Sequence, residues 1–381
     1  MPNNSKNTIP ENTHLSTFLS SFSTLSDPRR TKKGHLLYPL EEILFLTISA
    51  CVSGANCWTG IQAFGEEKLD WLRKFFPFKC GIPSHDTISD VFILLCPKEF
   101  GTCFMDWANS IHTITAGRVV ALDGKTVRGA GGKGGKKSAL HIVSAYASMQ
   151  RICLGQEIVE EKSNEITAIP KLLDLLTLNQ SIVTIDAMGC QKDIAQKIIS
   201  KQADYILMVK DNQAGLKEQI IKVFARDEGV KIAESRDSGH GRVETRRCEV
   251  TSCLKFLDGK EDWKNLKSIV RITSERYIKK TGESTSEQRY YITSLMDNPE
   301  LINASIRQHW AIENNLHWNL DVVFREDGQL KREGNSAQNF NLISKIALAM
   351  IDAEKSTKDS KPNKRIRAAC SDKFRELVLN V

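Results

Sequence analysis

Ten cysteines are scattered through the 381 residues, and no two of them form a CxxC pair. The closest spacings are Cys51/Cys57 and Cys248/Cys253. A zinc finger or a redox dithiol is therefore not expected, and reduced, mostly buried thiols are. Long apolar runs are missing as well. The most apolar stretch, Ile43 to Val52, follows Glu41 and Glu42 and falls short of the ~20 residues that span a bilayer. The opening MPNNSKNTIPENTH has no basic-then-apolar signal. No internal repeat and no long low-complexity run occurs. The expectation is a soluble, intracellular protein with no membrane partner.

What is present is ordinary globular material, 41% hydrophobic and 26% charged, with enough apolar mass for real cores. The length suits two or three domains of ~150 residues. A net charge of +7 points only weakly to a polyanionic partner.

The texture changes along the chain. Residues 1–115 read as a small helical domain. Pro39–Ser53 has helical spacing and ends at Gly54, and Ser84 can cap a helix running to Leu95 before Pro97. The basic stretch DPRRTKKGH, Asp27 to His35, lies upstream. It suits a DNA-binding module and a plain helical domain equally. Residues 116–215 alternate β-branched strands with helices. Strands are expected at Arg118–Val127, Leu140–Ala147, Ile152–Val159, Ser181–Ala187 and Asp204–Lys210, with helices at Glu165–Leu176 and Lys192–Lys201. That order gives an α/β domain with a mixed sheet. Residues 216–297 form a β-rich insertion, with exposed strands at Gly241–Val250, Ser268–Ser274 and Arg289–Leu295. A helical pattern returns from Leu301 to Leu320 within 298–353. Residues 354–381 make a basic tail, with eight basic and three acidic residues from Lys355 onward. Such a tail is a solvated face or a grip on phosphates.

Three acids carry the chemistry. Asp123 lies inside the apolar strand VVALDGKTV, where an unpaired carboxylate is expensive. Asp186 ends the strand SIVTIDA, and strand ends are where open α/β sheets bind ligands. Either one alone reads equally well as a hydrogen-bond acceptor in a turn. Glu313 lies in HWAIENNLHWNLDVVFREDG, with His309 and His317 four residues to each side. On an α-helix the three share one stripe. A zinc helix would hold its histidines at i and i+4. Here they stand eight apart, a rise of about 12 Å, too far for one ion. Two isolated carboxylates elsewhere favour Mg²⁺, which prefers oxygen ligands. Three carboxylates from two strands and a helix suit a two-metal site acting on a phosphodiester. Asp321, Glu326 and Asp327 are rival third acids.

Basic groups surround these acids. The stretch Gly124–Lys137 carries Lys125, Arg128, Lys133, Lys136 and Lys137 among glycines that let a backbone approach phosphates. It also reads as a flexible surface hairpin. In HGRVETRR, His240 to Arg247, strand alternation puts Arg242, Glu244 and Arg246 on one face. That suits phosphate contact or a cross-strand salt bridge. Arg247 and Lys210 complete this set of expected DNA contacts.

The ordered motifs LDGKTVRG, KSNEITAIPKLL, TIDAMGCQ, DYILMVKDNQ, HGRVETRR, RYYITSL and HWAIENNLHWNLDVVFRED resemble the H-repeat-associated, ISAs-type insertion-sequence transposases of the DDE superfamily. DPRRTKKGHLLYPLEEIL, SGANCW and GIPSHDTISDVF resemble that group's associated N-terminal domain. The likeness runs roughly from Leu15 to Ala353. It implies a ribonuclease H-like catalytic core whose acids match Asp123, Asp186 and Glu313, with a β-rich insertion between the second and third. The spacing agrees: 63 residues separate the first pair and 127 the second. Related enzymes space a Tyr, an Arg, the Glu and a Lys along the last helix. Here His309 stands four residues before Glu313 in place of the Arg, and Leu320 seven after it in place of the Lys. Arg307, His309 and His317 are expected to contact phosphates instead.

The resemblance implies a bacterial, nucleoid-associated protein of the cytoplasm. It would bind terminal inverted repeats, cleave the element's ends and join 3′-hydroxyls to target DNA. Two Mg²⁺ ions would serve, with Mn²⁺ able to substitute, and a homodimer would pair the ends. The competing expectations are a structure-selective metal-dependent nuclease and a catalytically inactive DNA-binding regulator.

Overall fold

The computed structural model describes residues 14–29, 36–111, 117–131, 139–160, 163–226, 229–239 and 241–380. Lys133, Lys136, Lys137, His240 and residues 30–35 of the basic stretch lie outside these.

The described strands are β1 (Val119–Val127), β2 (Leu140–Ala147), β3 (Ile152–Val159), β4 (Ile182–Ile185), β5 (Asp204–Val209), β6 (Lys231–Gly239), β7 (Arg242–Thr251), β8 (Ser268–Ile278) and β9 (Ser284–Thr293). They make one sheet in the order β3-β2-β1-β4-β5-β9-β8-β7-β6. β1 runs antiparallel to β2 and parallel to β4, and β4 runs parallel to β5. The parallel crossovers from β3 to β4 and from β4 to β5 are made by the helices α7 (Glu165–Leu175) and α8 (Lys192–Ser200). Buried on both faces, β4 is the β-branched run Ile-Val-Thr-Ile, as a central parallel strand requires. This mixed α/β sheet, three antiparallel strands followed by two parallel ones, is the ribonuclease H-like core.

The β-rich insertion continues that sheet. β9 pairs antiparallel with β5 from Ile206↔Thr293 to Val209↔Tyr290. The inner halves of β7, β8 and β9 bury Cys248, Val250, Val270, Ile272 and Tyr291 against Ile302 and Ile306. Those two isoleucines lie on α10 (Pro299–His309). β8 runs on to Ile278, the residue before the KKTGESTSEQ segment, and β9 begins inside that segment at Ser284, both longer than expected, because their outer halves are largely exposed and show no clear alternation.

Ahead of the core lie α1 (His14–Phe22), α2 (Leu40–Val52), α3 (Trp58–Glu67), α4 (Leu69–Leu72), α5 (His85–Leu94) and α6 (Pro97–Ser110). Ser84 caps α5 by accepting the Thr87 N–H. α2 is buried from Glu42 to Val52, so its apolar residues occupy every side. Its neighbours include α12 (Ser336–Ala353), α13 (Lys361–Cys370) and α14 (Asp372–Leu379).

The stretch expected to be a solvated basic tail holds α13 and α14, and three of its cations, Lys364, Arg365 and Arg375, point inward. Arg365 donates to the carbonyl of Cys51 at 2.8 and 3.1 Å, to Asn56 Oδ1 at 2.7 Å, and to the Val323 carbonyl. Arg375 is fully buried, 4.0 Å from the Trp71 ring centroid. Charge alone misled here, because arginine carries a long apolar stem and satisfies several carbonyls at once. No helix among the described residues is long and apolar enough to cross a membrane.

Candidate active site

Asp123 and Asp186 emerge side by side. Leu122 pairs with Ile185 in the parallel β1–β4 ladder, so each aspartate is the next residue on its strand. Asp123 Oδ1 accepts its neighbour Gly124 N–H at 2.9 Å. Asp186 leaves β4 and accepts the Met188 N–H at 3.0 Å, starting a short 3₁₀ turn. The turn role anticipated for a lone aspartate is therefore present at Asp186.

The element that carries Glu313 differs from expectation. A single α-helix over Leu301–Leu320 is replaced by α10, a π-helical segment at Ile312–His317, and α11 (Trp318–Val322). Within the segment the Trp318 N–H reaches the Glu313 carbonyl, five residues back. The wider turn breaks the predicted stripe. Glu313 faces out, whereas His309 and His317 turn inward. His309 Nδ1 lies 3.0 Å from Thr184 Oγ1 on β4. His317 Nδ1 lies 3.4 Å from Asp123 Oδ2. Neither histidine is placed to contact a DNA phosphate: His317 lies against Asp123, and His309 is held against β4 next to the strand end that carries Asp186.

The electrostatics tie the acids together. The Asp123 carboxyl is pushed up to about 7, first by burial and then by the charges of Asp186, Glu313 and Glu165. Glu313 is raised by burial and by Asp186, against the opposing charge of Arg289. Burial pushes His309 down to about 4 and His317 down to about 3, the latter helped by Lys345 and Lys125. Both imidazoles are therefore neutral at pH 7.

Glu165 is the member that sequence reasoning missed. It is the first residue of α7, and its Oε1 lies 2.7 Å from His141 Nε2 on β2. His141 Nδ1 lies 2.8 Å from Thr126 Oγ1 on β1. An acid in the first turn of a helix is ordinary, so only the β1–β2 register reveals it. A side chain at Gly124 would overlap the Glu165 carboxylate, which accounts for a glycine directly after Asp123.

The rival acids are engaged elsewhere. Lys125 Nζ lies 2.6 Å from Asp321 Oδ1 and also pairs with Glu326. Glu326 is buried and accepts from Asn341 as well. Asp327 accepts the Arg128 N–H at 3.1 Å. Lys125 is thus an internal counter-ion and no free phosphate contact, because a buried carboxylate demands a charged partner.

Among the other expected contacts, Arg128, Lys210 and Arg242 are exposed. Arg242, Glu244 and Arg246 do share one face, with Arg246 Nη2 3.0 Å from Glu244 Oε1. Arg247 falls on the opposite face, 3.1 Å from Glu234. Arg307, half-exposed, pairs with Asp237.

Among the described residues no three His, Cys, Asp or Glu side chains are already drawn together at metal-ligand distance. The donor set still fits a hard divalent cation. It consists of carboxylates in which burial, reinforced by their mutual repulsion, keeps a proton on Asp123, and a cation would replace that proton.

Two family models match the chain. "DDE_Tnp_1-associated" covers residues 19–108, and "Transposase DDE domain" covers residues 115–350. The chain is 42% identical to "Putative transposase YncI" of Escherichia coli O157:H7, over 96% of this chain and 95% of that one. It is 39% identical to "H repeat-associated putative transposase YhhI" of Escherichia coli strain K12, over 96% and 98%. Among solved structures, it is similar to a piggyBac transposase synaptic complex with hairpin DNA. The TM-score is 0.49 and the identity 10%, covering 98% of this chain and 83% of that one.

Proposed function

The chain belongs to the DDE transposases, and we propose that Asp123, Asp186 and Glu313 are the carboxylates with which it cuts and joins DNA strands. One observation carries this reading. Three acids far apart in sequence come together: Asp123 and Asp186 end neighbouring parallel strands, and the charges of Asp186 and Glu313 add to burial in raising the Asp123 carboxyl to about 7.

The family works with divalent metal ions. Here Asp123, Asp186 and Glu313 would hold two Mg²⁺ ions, with Mn²⁺ able to replace them. Such ions supply charge that activates a water or a 3′-hydroxyl and stabilises the leaving oxygen. The protein's own part is positional. The parallel β1–β4 pair fixes two carboxylates side by side, and the π segment would present the third from the neighbouring surface. His309 and His317, neutral and buried, orient the acids without adding positive charge. Arg128, Lys210, Arg242, Arg246 and Arg307 face the DNA.

The substrates are the element's terminal inverted repeats and target DNA, brought together by a homodimer on paired ends. In this division of labour residues 1–115 assist DNA binding. Residues 116–215 and 298–353 form the catalytic core, and residues 216–297 the insertion.

The test is strand cleavage of duplex DNA carrying the gene's own flanks, with Mg²⁺ or Mn²⁺ added. Nicks at one fixed position are expected. Asp123→Asn, Asp186→Asn and Glu313→Gln should each abolish them while leaving DNA binding intact. Undiminished cleavage by any of the three would remove that acid from the site. Cleavage without joining of the 3′-hydroxyl to a second duplex would point to a nuclease.

A further inference from the structure

Beside Glu313 lies a cavity of about 520 Å³ that the three acids do not fill. Its floor is one face of the β7–β8–β9 ribbon, and its wall is the end of α10 with the π segment. Five arginines line it: Arg242, Arg246, Arg276, Arg289 and Arg307.

The register explains their convergence. Alternate residues of β7 share a face, Arg276 stands opposite Glu244, and Ser274 opposite Arg246. Three carboxylates hold the guanidinium groups in place. Glu244 lies 3.0 Å from Arg246 and 3.8 Å from Arg276, Glu287 binds Arg289 at 2.8 and 2.9 Å, and Asp237 pairs with Arg307. Five cations against three anions leave the cavity positive. Arg242 has no ion-pair partner among the described residues.

Arg246 gives the sharper indication. Its side chain is 12% exposed. Its Nε and Nη1 are buried with no hydrogen-bond partner among the described residues. Leaving charged donors unmet is expensive, and guanidinium N–H groups donate strongly to phosphate oxygens. Arg289 stacks 4.7 Å from the Trp310 ring centroid, which fixes its direction, and its charge is felt at Glu313. The cavity and the third acid therefore belong to one neighbourhood.

We propose that this cavity is a phosphate subsite, holding one phosphate of the DNA strand beside the phosphate that Glu313 helps to cut. The proposal rests on the transposase reading above. The phosphate has two possible sources: an internal diester of an uncut strand, or the 5′-phosphate that a cut exposes.

The test uses the full-length protein without added metal. Fluorescence anisotropy would follow three duplexes of the gene's flank: intact, nicked with a 5′-phosphate, and nicked with a 5′-hydroxyl. Arg246→Gln and the half-exposed Arg276→Gln should each weaken binding about tenfold and lower the salt slope by about one. Arg247→Gln, on the opposite face of β7, controls for simple loss of charge and should change affinity less than twofold. A neutral methylphosphonate at one position should weaken the wild type and leave Arg246→Gln unaffected.

A loss confined to the 5′-phosphate nick assigns the terminal phosphate, and an equal loss on all three duplexes assigns an internal one. Equal weakening by Arg246→Gln and Arg247→Gln would overturn the subsite. So would wild-type binding by both cavity variants, or a methylphosphonate scan with no position that separates wild type from Arg246→Gln. Failure of the wild type to cleave, with this pattern intact, would refute the catalytic reading and leave the subsite standing.

Discussion

Asp123 keeps its proton to about pH 7, whereas His309 and His317 give theirs up near 4 and 3. The two kinds of group pull stability in opposite directions. Between about pH 4 and 7 the folded, metal-free chain holds a proton on Asp123 that the unfolded chain has released, so this group favours the fold as pH falls. Below about 6.5 the unfolded chain protonates histidines that the folded chain keeps neutral, so their contribution is lost as pH falls towards 4. Asp123→Asn removes only the first effect. Its stability should therefore drop more steeply than the wild type's between pH 6.5 and 4.5, by up to about 1.4 kcal/mol per pH unit. Urea midpoints without metal measure this, and parallel slopes would mean that Asp123 is ionised throughout. Of these groups, Asp123 and Asp186 were legible in the sequence because each ends or interrupts a β-branched run. Glu165 was not, since nothing local distinguishes a functional acid from one that merely suits a helix start. The inward turn of Lys125 was equally hidden, because its partners lie about two hundred residues away.

At the scale of elements, the strands and helices of the core matched their apolar runs closely, since buried parallel strands carry an unmistakable composition. The π segment gave no such sign. Ile312, Leu316 and Leu320 stand four apart, as in any α-helix, and the extra residue per turn shows only in the hydrogen bonds. Asn319 secures that turn by donating to the Asn315 carbonyl at 2.8 Å and the Asn314 carbonyl at 3.3 Å. The other joint between elements is Lys125, which ties β1 to Asp321 on α11 and to Glu326 beyond it. Lys125→Met leaves a buried Glu326 without its cation and should destabilise the fold by about 3–5 kcal/mol. Chemical denaturation would register this. A loss below about 1 kcal/mol would mean that the pair is solvated and that Lys125 is free to meet DNA after all.

At the scale of the whole molecule, the last helices return to the helical domain at the other end of the sequence. α13 and α14 close over α2, and Arg365 fastens them to the Cys51 and Val323 carbonyls. Arg365→Ala should lower the melting temperature by several degrees and leave the salt dependence of DNA binding unchanged. A flatter salt slope with no thermal effect would restore the tail as a phosphate grip. Composition concealed this closure because it counts arginine as surface. It likewise concealed the β5–β9 seam, since pairing between strands some eighty residues apart leaves no local trace. That seam has a metrical consequence. Asp123 and Asp186 stand at β1 and β4, on one half of a continuous hydrogen-bonded sheet, and the arginines of β7, β8 and β9 stand on the other half, joined to it through the β5–β9 ladder. The separation between the point that grips and the point that cuts is then a property of the backbone, as in a gauge. Each cut should fall a constant number of nucleotides from the gripped phosphate, whatever bases lie between.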